Sequence, residues 1–83
     1  MKILPINKKL VKKLKAFGIE KKFHQKIQLF LNNPYQPSLH TELLEPKEYR
    51  IYSFRIDRKF RALFIFRDDE NAIEILNITA HYQ

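Results

Sequence analysis

Cysteine is absent from this 83-residue chain. No disulfide can staple the fold, and no thiolate can hold a metal. The three histidines, His24, His40 and His81, are scattered and lack the spacing of a zinc site. No apolar run approaches the ~20 residues needed to span a bilayer. The N-terminal lysines do not lead into an apolar stretch with a small-residue cleavage site. No secretory signal is therefore expected, and the cytoplasm is the default compartment. Glycine occurs once, at Gly18, and no repeat, low-complexity run or Gly/Ser linker divides the chain. Residues 1–83 are expected to form a single domain. A chain this short buries only about 60% of its unfolded surface. Seven phenylalanines and a large Leu/Ile complement compensate in part.

Charge of one sign is nearly missing from the first half. Residues 1–41 carry nine lysines against one acid, Glu20, a net +8. Residues 42–83 carry two lysines, five arginines and eight acids, a net −1. The lysines read as a diffuse electrostatic surface, and the arginines as positional groups. A guanidinium grips phosphate bidentately, whereas an ammonium acts as a point charge. Together they favour a polyanionic partner, although lysine-decorated helices are also what any exposed helix shows.

Periodicity supplies the elements. Residues 2–6 form a short apolar segment, read as an edge strand because Pro5 cannot donate to a ladder. Asn7 is a helix N-cap. Leu10, Val11, Leu14 and Phe17 then recur at helical spacing among Lys8, Lys9, Lys12, Lys13 and Lys15. Gly18 suits the left-handed position that ends a helix. A second helix from about residue 19 places Ile19, Phe23, Ile27, Phe30 and Leu31 on one stripe and is stopped by Asn32, Asn33 and Pro34. Residues 34–48 read as a loop pinned by Leu39, Leu43 and Leu44. Three strands are predicted over residues 49–56, 59–67 and 72–78, with a tight turn at Asp57-Arg58. Tyr52, Phe54 and Ile56 share one face, and Phe60, Ala62, Phe64 and Phe66 face the core. Ser53, Arg55, Lys59, Arg61, Leu63 and Ile65 face away. The expected fold is α+β, ordered β-α-α-β-β-β, with a helical hairpin packed on a small twisted antiparallel sheet. An arginine on the open face of that sheet, with His81 and Tyr82 after its last strand, is an arrangement able to hold and cut a phosphodiester. The bland alternatives are an Arg61 that is solvated or paired with Glu74, and a frayed terminus.

The element order and the string Leu39, Leu43, Tyr49-Arg50, Arg55-Ile56, Arg61 and Phe64 resemble the RelE/ParE superfamily of bacterial toxins. His81-Tyr82 is similar to the ending of its YoeB-like mRNA interferases. One departure is a longer turn after Asp69. The resemblance implies the toxin of a type II toxin–antitoxin system, a hydrolase that enters the ribosomal A site and cleaves mRNA. The activity would be that of a metal-independent endoribonuclease without a cofactor. The RNA 2′-OH attacks the adjacent phosphate and leaves 2′,3′-cyclic phosphate and 5′-OH ends. The superfamily's third-strand arginine falls on Arg61, and its histidine and tyrosine fall on His81 and Tyr82. For the general base Glu48 is the candidate, with Glu45 and Glu42 near it. Lys47, Arg50, Arg55 and Lys59 would supplement the phosphate site, and Lys8, Lys9, Lys12 and Lys13 would meet rRNA. The implied partners are a cognate acidic antitoxin, mRNA and the ribosome, with no membrane. The implied assembly is a homodimer or a toxin–antitoxin hetero-oligomer. A ParE-like inhibitor of DNA gyrase and a degenerate, non-catalytic relative are the competing functions.

Overall fold

The computed structural model describes residues 1–80. Its elements are β1 (Lys2–Ile3), α1 (Lys8–Ala16), α2 (Glu20–Asn32), β2 (Glu42–Leu43), β3 (Tyr52–Arg55), β4 (Phe60–Arg67) and β5 (Ala72–Ala80). The five strands form one sheet in the order β1-β5-β4-β3-β2. Both helices cover the same face of it, which makes an α+β fold.

Local chemistry sets the helix ends. Asn7 Oδ1 accepts the Lys9 N–H at 2.7 Å, satisfying one donor that the first turn leaves open. Gly18 follows α1 at φ 68°, where a side chain would be strained. Asn33 ends α2 in an extended conformation, as a residue before proline tends to. The buried stripe Phe23, Ile27 and Phe30 then reaches the sheet. Phe23 packs on Phe54, and Phe30 packs on Phe54, Phe64 and Phe66 with ring centroids 5.0–6.4 Å apart. Phe17 stacks on Phe60 at 4.5 Å and closes the other end of the core.

Four features differ from the sequence expectation. First, the sheet is mixed. The three other pairings are antiparallel, but β1 runs parallel to β5, because the helical hairpin carries the chain across the sheet before the meander begins. Second, the segment read as a loop contains β2. Its two residues pair Glu42 with Ser53 and Leu43 with Tyr52, and two residues are too few to show an alternation. Third, β3 begins at Tyr52 and not at residue 49. A single 3-10 turn at Lys47–Tyr49 ends on Arg50 at φ 55°, and this left-handed residue turns the chain before the strand can start. Fourth, β5 continues to Ala80 through a bulge. Leu63 is in register with Asn77 but Phe64 with Ile75, so Leu76 is unpaired. The extra residue resets the alternation. Ile73 and Ile75 face the core before it, and Ile78 faces the core after it. Unbroken alternation would have sent Asn77 and Thr79 inward.

The turn between β3 and β4 is organised by Asp57. Its Oδ1 accepts the N–H groups of Lys59 and Phe60, both at 2.8 Å, and its other oxygen lies 3.3 Å from the Lys22 ammonium. Partial burial pushes this carboxyl up, but the two backbone donors and Lys22 outweigh it and hold it below the ordinary aspartate value. The charged carboxylate therefore stabilises the turn above the ordinary value, and that contribution fades as pH falls through the lowered one.

Candidate functional site

The face of the sheet turned away from the helices carries the side chains that alternate with the core. Arg55 on β3 is in register with Arg61 on β4, and Arg61 with Thr79 on β5. Residues opposite each other on an antiparallel pair share a face, with Cβ atoms about 4.5–5.5 Å apart, and like charges so placed destabilise it. Two arginines in one row are thus an arrangement that an anion would relieve.

Arg61 is 9% exposed. Its Nη1 donates to Ser53 Oγ at 2.9 Å and, at 3.5 Å, to the His40 carbonyl, and lies 3.5 Å from Glu42 Oε1. Each partner has a structural reason to be there. Ser53 is in register with Leu63, two residues along β4 from Arg61, and Glu42 is in register with Ser53 through β2. His40 is left-handed at φ 46° and caps the 3-10 turn Pro37–Leu39, which turns its carbonyl back toward the sheet. All three contacts fall on Nη1. Among the described residues the buried Nε has no acceptor. A buried donor in that state costs about 1–3 kcal/mol. Arg55 makes no ion pair among the described residues. Glu74, the alternative partner considered for Arg61, is held by Arg67 at 2.7 Å, and that hydrogen bond raises the Arg67 value above normal.

The other sequence-selected residues are dispersed. Lys59 is exposed at the start of β4, its ammonium 5.4 Å from the Phe60 ring centroid. Lys47 and Glu48 are exposed on the 3-10 turn before β3. Arg50 lines a separate cleft at the other end of β4. Lys8, Lys9 and Lys12 are exposed on α1. Lys13 is half-buried, bonded to Asn77 Oδ1 at 3.1 Å, and so belongs to the scaffold. His81 and Tyr82 lie outside the described residues. The last described residue, Ala80, is in register with Phe60, one position from the Arg61–Thr79 pair.

The structure therefore brings Arg55, Arg61, Ser53 and Glu42 together. Ser53 was legible only as a polar-face residue, and nothing in the sequence marked it as the anchor of Arg61. The carboxylate beside the guanidinium is Glu42, carried there by β2, a strand the sequence did not reveal. Among the described residues no three His, Asp or Glu side chains converge as a metal site would require. No described helix is long and apolar enough to cross a membrane.

The architecture is a helical hairpin on one face of a five-stranded sheet. A YoeB/ParE toxin from Agrobacterium tumefaciens has a similar fold, with a TM-score of 0.72 over 99% of this chain and 100% of that one. The two are 17% identical, so the likeness is one of fold. An uncharacterized protein of Haemophilus influenzae is 40% identical over 45 residues. That match covers 54% of this chain, and the chain spans 43% of the length of that relative. No family model matches.

Proposed function

We propose that this chain is the toxin of a type II toxin–antitoxin pair and acts in the cytoplasm as a ribosome-dependent mRNA endonuclease. The observation that carries the reading is the Arg55–Arg61 row, with Arg61 nine-tenths buried and held by one nitrogen only. An arginine held through Nη1 keeps its other terminal nitrogen for a phosphate oxygen. The fold shared with a YoeB/ParE toxin supports the toxin reading.

The chemistry needs few groups. A base removes the proton of the RNA 2′-OH, the O2′–P bond forms, and the P–O5′ bond breaks. An acid then protonates O5′, leaving a 2′,3′-cyclic phosphate and a 5′-OH. Arg61 and Arg55 stabilise the charge that builds on the phosphorane oxygens. His81 is the proposed acid, and Tyr82 shares proton transfer or stacks on a base. Of the three candidate bases, Glu42 is favoured by its distance of 3.5 Å from the Arg61 guanidinium.

The lysines fit the same reading. The first turn of α1 holds no acid and begins with Lys8 and Lys9. Cations at a helix N-terminus oppose its dipole by about 0.3–1 kcal/mol each. Their place against that preference is consistent with contacts to rRNA phosphates. A gyrase inhibitor on the same fold would act by binding, with no use for two arginines set against each other on the sheet face away from the helices.

Expression of the chain alone in a bacterial host is expected to stop growth. Co-expression of a small acidic protein from the neighbouring reading frame should restore growth and copurify with it. Harmless expression and no acidic partner would point to a non-catalytic relative.

A further inference from the structure

Away from the arginine row, a cleft of about 590 Å³ opens at the other end of the sheet, where Tyr35, Tyr49, Arg50, Tyr52 and Asp68 line it. We infer that this cleft is a nucleobase-binding subsite for single-stranded RNA. Its occupant rests on the RNA-cleaving reading above.

The tyrosines differ in a telling way. Tyr52 is fixed, stacked on Phe64 at 5.7 Å and edge-on to Phe66 at 5.0 Å. It forms a rigid floor. Tyr35 and Tyr49 are 61% and 68% exposed, and neither ring stacks on another among the described residues. Large aromatic rings left open to water at the rim of a cleft have unpaired π faces. A flat heteroaromatic ring pairs with such faces whatever its sequence identity.

The polar lining suits the edge of that ring. Arg50 supplies donors and Asp68 supplies an acceptor, across one cleft. A phosphate alone would be repelled by Asp68. A base edge carries donors and acceptors side by side and can use both groups. Arg50 also sits at φ 55°, a backbone region that favours glycine. Glycine or asparagine would hold that turn with less strain. The arginine side chain therefore has a use beyond the turn, at a position that lines the cleft.

The spacing matches one bound strand. Ile65 borders the cleft and lies on the same face of β4 as Arg61, four residues along it, whereas Phe66 and Tyr52 belong to the core-facing side, so the cleft sits at the end of the sheet. At about 3.3 Å per residue this places the Ile65 border roughly 13 Å from the arginine row. A short RNA held over Arg61 would run past Ile65 to the end of the sheet and bring a base against the exposed Tyr35 and Tyr49. This subsite would select where along the message the cut falls.

The test is titration of the full chain with a non-cleavable 2′-O-methyl RNA hexanucleotide, read by NMR shifts of the tyrosine rings. Tyr35 and Tyr49 should shift, and Tyr35→Ala/Tyr49→Ala should weaken binding by about 10- to 100-fold, the scale of lost base stacking. Arg50→Gly relieves the left-handed turn, so it should keep its melting temperature while it loses affinity. Unchanged affinity in both variants, or shifts confined to the Arg61 region, would overturn the subsite. So would a cleft that responds to an acidic protein partner and not to RNA. A parent that binds through the tyrosines yet never cuts RNA would sink the nuclease reading and leave the subsite standing.

Discussion

His81→Ala is expected to slow mRNA cleavage by about 10²–10⁴-fold, the loss that follows removal of a group that transfers a proton. The leaving 5′-oxygen is a strong base and needs a proton as the P–O5′ bond breaks. Histidine is the side chain best matched to giving one near neutral pH. Tyr82→Phe keeps the ring and removes only the hydroxyl. If Tyr82 moves a proton, Phe loses activity on the same scale. If it stacks on a base, Phe is nearly neutral and Tyr82→Ala is the damaging change. Both positions lie after Ala80, so the fold of residues 1–80 should persist, as a melting curve by circular dichroism would check. A His81→Ala variant that cuts at the parent rate removes histidine from the mechanism.

Arg61→Ala is expected to reduce the rate of the chemical step by about 10²–10³-fold, as for other single stabilisers of transition-state charge. The substitution also removes the buried Nε that lacks an acceptor, which limits the loss of stability. Arg55→Ala, at a half-buried position, provides a second variant on the same row that does not disturb the Ser53 contact. It should lower activity in the same direction and by less. The carboxylates can be separated in the same series. Glu42→Gln should cost about 10²-fold or more as the loss of a base, whereas Glu48→Gln should be close to neutral. Equal activity for Arg61→Ala and the parent, with folding intact, would mean that the arginine row is only a charged surface. A large loss at Glu48 with none at Glu42 would move the base to the 3-10 turn.

The helices and the sheet core were legible because each signal was long. Phe23, Ile27 and Phe30 repeat over about two turns, and Phe60, Ala62, Phe64 and Phe66 alternate over most of β4. Gly18 and Asn7 marked helix ends because each supplies a conformation or an acceptor that few other residues can. The features that assemble the site were not legible, and for physical reasons. β2 is two residues long, and it exists because Ser53 and Tyr52 offer an open edge, which is tertiary information. The bulge at Leu76 changes which of Asn77, Ile78 and Thr79 face the core, and the strand's own sequence permits either phase. Arg50 looked like one more strand residue, yet its left-handed backbone ends a turn and moves it into the cleft with Tyr49. Arg61 was correctly set on the face away from Phe60 and Phe64. Its burial, and its hold on Ser53, Glu42 and the His40 carbonyl, came from segments distant in sequence closing over it.

The central claim is that this fold cuts mRNA on the ribosome through in-line attack by the RNA itself. Mapping of cellular mRNA ends after brief induction tests it most directly, with translation running and with translation blocked. New ends should appear within translated frames only when ribosomes are active. The upstream fragments should carry 2′,3′-cyclic phosphates and the downstream fragments 5′-OH groups. Unchanged mRNA ends alongside inhibited DNA supercoiling, or fragments bearing 5′-phosphates, would contradict it.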